Sequence, residues 1–146
     1  MRAVIQRVLE GRVEVRGQQV GRIDKGLLIY VSVAKTDTLE DVQYMADKLV
    51  NLRIFADEAG KMNRSVLEVG GSILLVSNFT LHGDCRKGRR PGFDAAAEPQ
   101  LAQQLYDKLG ELIAEQGVAV EKGIFGEYMQ VSSINDGPVT FLLDSQ

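Results

Sequence analysis

The run Gly26-Leu27-Leu28-Ile29-Tyr30-Val31-Ser32-Val33 shows no alternation of apolar and polar residues. A strand with one wet face alternates, so this run predicts a strand covered on both faces and placed centrally in its sheet. Upstream, Ala3 to Val8, Arg12 to Val15 with alternating Val13 and Val15, and Val20 to Ile23 read as strands separated by Gly11 and by Gly17, Gln18 and Gln19. That pattern predicts a meander of hairpins leading into the central strand. Downstream, Thr38 suits a helix cap and Asp41 the positive end of the helix dipole, while Leu39, Val42, Met45, Ala46 and Leu49 follow at helical spacing.

Past a polar loop, Asp57 to Ser65, the pair Gly70 and Gly71 turns the chain into a second buried-type strand, Ser72 to Ser77. His82 to Glu98, rich in Gly, Asp, Arg, Lys and small residues, reads as a long exposed loop of the kind that carries function. Pro99 opens a second helix with an apolar face of Leu101, Leu105, Leu109, Leu112 and Ile113, closed at Gly117. Strands at Val118 to Glu121, Tyr128 to Ile134 and Val139 to Leu143 end the chain, the last two joined by Asn135, Asp136, Gly137 and Pro138 as a hairpin connection. The predicted class is α+β: a curved, largely antiparallel, barrel-like sheet with two main helices packed on it, residues 1–146 forming one domain.

Bulk properties narrow the function. With 45% hydrophobic residues in 146 there is material for a real core. With 17 basic against 20 acidic residues, any contact with nucleic acid must be local. A single cysteine, Cys85, excludes an intrachain disulfide and a cysteine-based zinc site, and points to a reducing cytoplasm. Polar residues interrupt Met1 to Arg7 too early for a signal-peptide core, and no apolar run approaches membrane-spanning length, so a soluble, unexported protein is expected.

His82 is the only imidazole and has no serine or cysteine partner at a familiar spacing, which argues against triad hydrolysis. His82, Asp84 and Cys85 are weak as a metal or thiol cluster, and Gly70 and Gly71 lack the partners of a phosphate loop; no metal and no cofactor is expected. Ser77, Asn78, Phe79, Thr80 and Leu81 leave a rigid strand with hydroxyl, amide and aromatic groups that can hold a substrate carbonyl. Equally, Ser77 and Thr80 can satisfy turn backbone while Phe79 and Leu81 fill the core. Gly137 and Pro138 have the same double reading: a turn, or bare backbone that another molecule approaches closely. Arg86, Lys87, Arg89 and Arg90 form a basic loop that either meets phosphates or is a solvated charge run.

Ser77 to Leu81 together with Asn135 to Thr140 resemble the paired hallmark stretches of the D-aminoacyl-tRNA deacylases, of the Ser-Gln-x-Thr-Leu and Asn-x-Gly-Pro-Val-Thr types. Met1 to Val8, Lys87 to Phe93 and Met129 to Val131 fit the same family in order and spacing. The resemblance implies a homodimeric hydrolase without metal or organic cofactor. It would release D-amino acids from the terminal adenosine of tRNA, and glycine mischarged on tRNA-Ala. It places Thr80, Ser77 and Phe79 at the scissile ester, and Gly137, Pro138, Asn78, Met129, Phe125 and Asn135 around the substrate, with Phe125 against the adenine. Arg7 would brace the Gly-Pro loop, and Arg86, Lys87, Arg89 and Arg90 would meet the acceptor stem. Thr80 is read as a positioning residue first and a nucleophile second. The implied Gly-Pro peptide is cis and serves the partner subunit's cleft, where fixed backbone admits hydrogen at the α-carbon but collides with an L side chain. The sequence departs from the family at Asn78, commonly Gln, and at Gly92, commonly Ser. Two other readings stand beside this one: a non-catalytic RNA- or DNA-binding module, and a hydrolase of some other ester or amide.

Overall fold

The computed structural model describes residues 1–145. Its main sheet comprises β1 (Arg2–Val15), β2 (Gln18–Ile23), β3 (Gly26–Ser32), β6 (Ser72–Ser77), β7 (Ala119–Lys122) and β8 (Gln130–Asp144). A small ribbon of β4 (Phe55–Ala56) and β5 (Met62–Arg64) occupies part of the predicted polar loop, and the helices are α1 (Leu39–Asn51) and α2 (Pro99–Glu115). The strand order is β2-β1-β3-β6-β7, with β8 also paired to β1. All pairings of β1 are antiparallel, whereas β3-β6 and β6-β7 are parallel. The predicted α+β class therefore holds, with a parallel patch inside a largely antiparallel sheet.

The missing alternation of residues 26–33 has its cause in two apolar cores. Leu27 and Ile29 face α1 and α2 with Ile5, Ile73, Leu75, Met45 and Leu109, while Leu28 turns the other way to meet Val8, Val13, Ile23, Leu74 and Val76. Truncating one of these fully buried leucines to alanine costs about 2–5 kcal/mol. The sheet curls until β2 and β7 nearly touch: a Cβ on Gly21 would lie 2.8 Å from the carbonyl oxygen of Lys122. Glycine is thus required where the barrel comes closest to closing.

Both helices follow the sequence signals. Thr38 accepts the Glu40 N–H at 3.3 Å and its own N–H donates to Asp41 Oδ2 at 2.8 Å, closing a capping box. Pro99 begins α2, and Gly117, with φ +89°, lets the chain leave it.

Two expectations are corrected. Gly11 does not separate two strands: β1 runs unbroken through it, and a Cβ there would press to 3.3 Å on Leu74 Cδ2, so the glycine admits the underlying core. Asn135 to Pro138 is not a hairpin, because β8 continues along β1 on both sides of it. Between the pairs Gln6↔Thr140 and Val8↔Asn135, two steps on β1 face five on β8. The extra residues bulge outward from one long strand, which turn-forming residue types alone cannot distinguish from a reversal. Among the described residues, no helix is long and apolar enough to cross a membrane.

Candidate active site

β3 and β6 run parallel and end together, and beyond their carboxyl ends opens a cavity of about 770 Å³. Open sheets with parallel strands commonly bind ligands at this edge. Tyr30, Val76, Met129 and Val131 line it from the barrel side, and Ala97, Ala102, Tyr106 and Phe125 from the helix side. Between these walls stand Ser77, Asn78, Phe79 and Thr80. Six of the residues singled out by sequence, Ser77, Asn78, Phe79, Thr80, Phe125 and Met129, thus share one cavity.

The chain leaves β6 through Asn78, whose N–H donates to the Val31 carbonyl at 2.8 Å, and enters a single 3-10 turn, Phe79–His82. Asn78 caps this turn: its Oδ1 accepts the Thr80 N–H at 3.2 Å and the Thr80 hydroxyl at 2.5 Å. Below, Ser32 Oγ lies 2.6 Å from His82 Nδ1, and Arg2 Nη1 donates to the Leu81 carbonyl at 3.2 Å while its guanidinium pairs with Asp144 at 2.8 Å. The turn is held at both ends. Phe79 does not fill the core; it is 60% exposed, with its ring edge-on to Phe93 at a centroid distance of 5.1 Å.

The phenol of Tyr106 donates to the Leu75 carbonyl at 2.8 Å, and burial raises its pKa far above the usual phenol value, so it stays a neutral donor. Tyr30, half-buried, is raised for the same reason. Sequence reasoning missed Tyr30, Tyr106 and Phe93 as cavity residues. The unbroken apolar run of residues 26–33 has no alternation to set Tyr30 apart, and the helical phase of α2 puts Tyr106 on the buried face without marking a cavity beside it; Phe93 lies on an irregular loop without any period.

Gly137, Pro138 and Asn135 are elsewhere: among the described residues, none of the three lines the cavity. Their bulge is organised from inside the chain. The Gly137-Pro138 peptide is cis, and Gly137 has φ +126°, a region that disfavours side chains. Asn135 Oδ1 accepts the Val139 N–H at 3.1 Å and its Nδ2 donates to Thr140 Oγ1 at 3.0 Å, so its carboxamide braces the bulge. Arg7, opposite the bulge on β1, donates through Nη1 to the Ile54 carbonyl at 2.6 Å and through Nη2 to the Asp136 carbonyl at 3.2 Å. Its Nε lies 3.1 Å from Asp136 Oδ2, close enough for an ion pair but not aligned for a hydrogen bond.

The basic loop is closed by paired hydrogen bonds between Asp84 and Gly92. Arg86 is engaged by Asp84 at 2.7 Å and holds that carboxyl well below the usual range, while Lys87, Arg89 and Arg90 are exposed. His82 is occupied with Ser32, and Cys85 is exposed.

Known proteins share this sequence pattern and fold. The sequence model of the D-Tyr-tRNA(Tyr) deacylase family matches residues 4–144. The D-aminoacyl-tRNA deacylase of Fervidobacterium nodosum is 56% identical over 146 residues, 100% of this chain and 98% of that one. That of Thermus aquaticus is 54% identical over 145 residues, 99% of this chain and 95% of its own. Among solved structures, c-Myc DNA Unwinding Element Binding Protein superposes with a TM-score of 0.95 at 38% identity, covering 100% of this chain and 99% of the other. A "probable eukaryotic D-amino acid tRNA deacylase" shares the fold, with a TM-score of 0.84 at 19% identity over 97% of each chain. Matched from end to end in sequence and in backbone, this chain belongs to the D-Tyr-tRNA(Tyr) deacylase family.

Proposed function

We propose that the protein hydrolyses the ester of D-aminoacyl-tRNA, water and ester giving free D-amino acid and tRNA, and that it works as a homodimer in the cytoplasm. The observation that carries this reading is the separation of its two hallmark motifs: Ser77 to Thr80 line the cavity, whereas Gly137 and Pro138, exposed on β8, are not among its lining residues. A second copy can supply what one chain leaves out. Supporting this, Ile134, Phe141 and Leu142 on β8 are 50%, 41% and 69% exposed, and Leu9 of β1 is 52% exposed. Exposed apolar residues gathered on one ribbon suit an interface between copies.

In the dimer, the Gly137 and Pro138 carbonyls face the substrate's α-carbon. Hydrogen fits against them and an L side chain does not, so D-residues and glycine pass, glycine mischarged on tRNA-Ala included. Phe125 meets the terminal adenine, and Lys87, Arg89 and Arg90 meet acceptor-stem phosphates. Backbone N–H groups near Phe79 stabilise the developing oxyanion, and the neighbouring ribose hydroxyl helps activate water. No metal or organic cofactor enters this scheme.

Release of D-tyrosine and of L-tyrosine from tRNA by the purified protein tests the reading. Fast release of D-tyrosine alone is expected; equal rates, or none, overturn it. A non-catalytic nucleic-acid module is favoured by one observation, the 38% identity to a DNA unwinding element binding protein. It predicts salt-sensitive binding without turnover, unaffected by changes at Thr80 and Gly137.

A further inference from the structure

Six aromatic side chains line the cavity, and five of them are committed elsewhere. Phe79 and Phe93 meet edge to face at 5.1 Å, Tyr106 and Phe125 are tilted together at 5.8 Å, and Tyr30 packs partly buried against the barrel core. Tyr128 is the exception. It belongs to the lining yet is 87% exposed, and among the described residues its ring makes no ring or cation contact and its hydroxyl no hydrogen bond. A lone exposed aromatic is ordinary on a protein surface. What distinguishes this one is its place at the lip of the cavity, on a loop that is held from several sides. The Gly123 N–H donates to the Leu75 carbonyl at 3.0 Å and the Glu127 N–H to the Ile124 carbonyl at 3.3 Å. The loop closes tightly, since a Cβ on Gly123 would lie 2.5 Å from Met129 Sδ. The Glu127 carboxylate pairs with Arg16 at 3.2 Å, which offsets the negative charge next to Tyr128 in sequence.

The geometry points to Tyr128 as a stacking platform for the base that precedes the terminal adenosine, a cytosine in the single-stranded 3′ end of tRNA. This rests on the deacylase reading, in which the ester occupies the cavity and Phe125 takes the adenine. Phe125 and Tyr128 stand three positions apart on one braced loop, the first half-buried and the second at the lip. A strand that leaves the adenine at Phe125 and crosses this lip passes Tyr128. Unpaired bases at RNA ends are bound by stacking on aromatic rings, and every base offers a π face. The basic loop cannot do this work, because a cation holds a phosphate whether or not a base is attached to its sugar.

The test uses D-Tyr-tRNA and the same tRNA made abasic at the penultimate nucleotide, which keeps every phosphate and loses one base. Wild type, Tyr128→Trp and Tyr128→Ala are compared on both. In wild type, removing the base should raise KM by about 5-fold or more with kcat nearly unchanged, the low end for one base on one ring. Tyr128→Ala should raise KM on intact tRNA by the same factor, and removing the base should cost that variant nothing further, since both changes delete one interaction. Tyr128→Trp should match wild type or exceed it, because an indole keeps the stacking face without the phenol hydroxyl. The side chain is 87% exposed, so the melting curves should coincide. Equal KM of wild type and Tyr128→Ala on intact tRNA overturns the proposal, as does a loss in Tyr128→Ala that is just as large when the base is absent. A Tyr128→Ala protein that turns monomeric by light scattering overturns it too, because the ring would then be covered by a second copy. In each of these cases deacylation by wild type stands. A wild type inert on D-Tyr-tRNA overturns the deacylase reading and this inference together.

Discussion

β6 and β8 carry the two hallmark motifs, and they are opposites in burial. β6 hides its four middle residues, Ile73 to Val76, between the two apolar cores; among the described residues, β8 has none buried along its whole length. The strand that leads into Ser77 to Thr80 is fixed by its own chain. The strand that carries Gly137 and Pro138 is anchored along one edge to β1; it packs Val131, Val139 and Leu143 against the cores and leaves Ile134, Phe141 and Leu142 exposed. A rigid half that lines the cavity and an uncovered half that carries the cis peptide fit the proposed site assembled from two copies.

The sharpest way to break this comparison is to damage each half in a different subunit. Gly137→Ala places a Cβ 2.8 Å from Val139 Cγ2 and 3.4 Å from Arg7 Nη2, at a φ of +126° that L-residues rarely adopt. Displacing the bulge should cut D-Tyr-tRNA hydrolysis by about 100-fold, the order expected for an ångström-scale misplacement at a site. Because the bulge is exposed, the melting temperature should fall by only a few degrees; a large melting loss with unchanged kinetics counts against the idea. Co-refolding Gly137→Ala with Thr80→Val then tests which subunit serves which site. If the barrier acts across the interface, half of a random mixture is heterodimer with one intact site in two, so activity at substrate well below KM rises to about a quarter of wild type. If each chain serves its own site, every site keeps one defect and activity stays at the average of the two variants.

A smaller effect is expected from attacking the interface itself. Leu142→Arg puts a charge on the most exposed apolar residue of β8 and should shift the protein to monomer by light scattering, with turnover about 10-fold lower at dilute enzyme and partly recovered by concentration. A monomer with full selectivity would mean that β8 needs no cover. Smaller still is the contribution of the basic loop. Changing Lys87, Arg89 and Arg90 to alanine removes the proposed phosphate contacts and not chemistry, so KM should rise a few-fold at low salt, the salt dependence should flatten, and kcat should hold.

The contrast in burial also explains what could be read from sequence. Residues 26–33 and 72–77 announced themselves because burial on both faces leaves an unbroken apolar run, and both helices because burial on one face leaves a period. The 3-10 turn at Phe79 was legible only as a motif: four residues are too few to show a period, and the exposed aromatic at its head is spent on Phe93 and the cavity mouth. Asn135 to Pro138 was legible as residue types and misleading as topology. Turn-prone residues report local dihedrals, and whether the chain reverses or bulges depends on β1, where Arg7 holds the Asp136 carbonyl from 129 positions away. The cavity walls from Tyr30 and Tyr106 were hidden for a related reason, since a pocket is where two periodic elements fail to meet, and neither period records the gap.

His82 offers the smallest effect and sharpens the comparison from the rigid side. Burial, reinforced by the Arg2 guanidinium and the N-terminal charge and opposed by Asp37 and Asp144, sets its pKa below the ordinary 6.5. The folded state thus prefers neutral imidazole: stability is full above pH 6.5 and declines as pH falls through 6.5 toward the lower folded value. Carboxylates held low in the fold, such as Asp144 beside Arg2, lose their contribution only below about pH 4, in a separate window. Solvent screening keeps the His82 term small, on the order of one degree of melting temperature between pH 7 and 5, and His82→Asn should abolish it. Activity should change even less. Ser32 Oγ lies 2.6 Å from His82 Nδ1 and 3.5 Å from the Phe79 carbonyl, which accepts its proton. A protonated Nδ1 can donate to Ser32 Oγ while the hydroxyl turns to Phe79. The link between β3 and the turn survives in either charge state of the imidazole, so kcat/KM for D-Tyr-tRNA should follow the same profile between pH 7 and 5.5 in His82→Asn as in wild type. An acid limb that disappears in that variant would show that the half of the site fixed by β3 and β6 is itself switched by a proton.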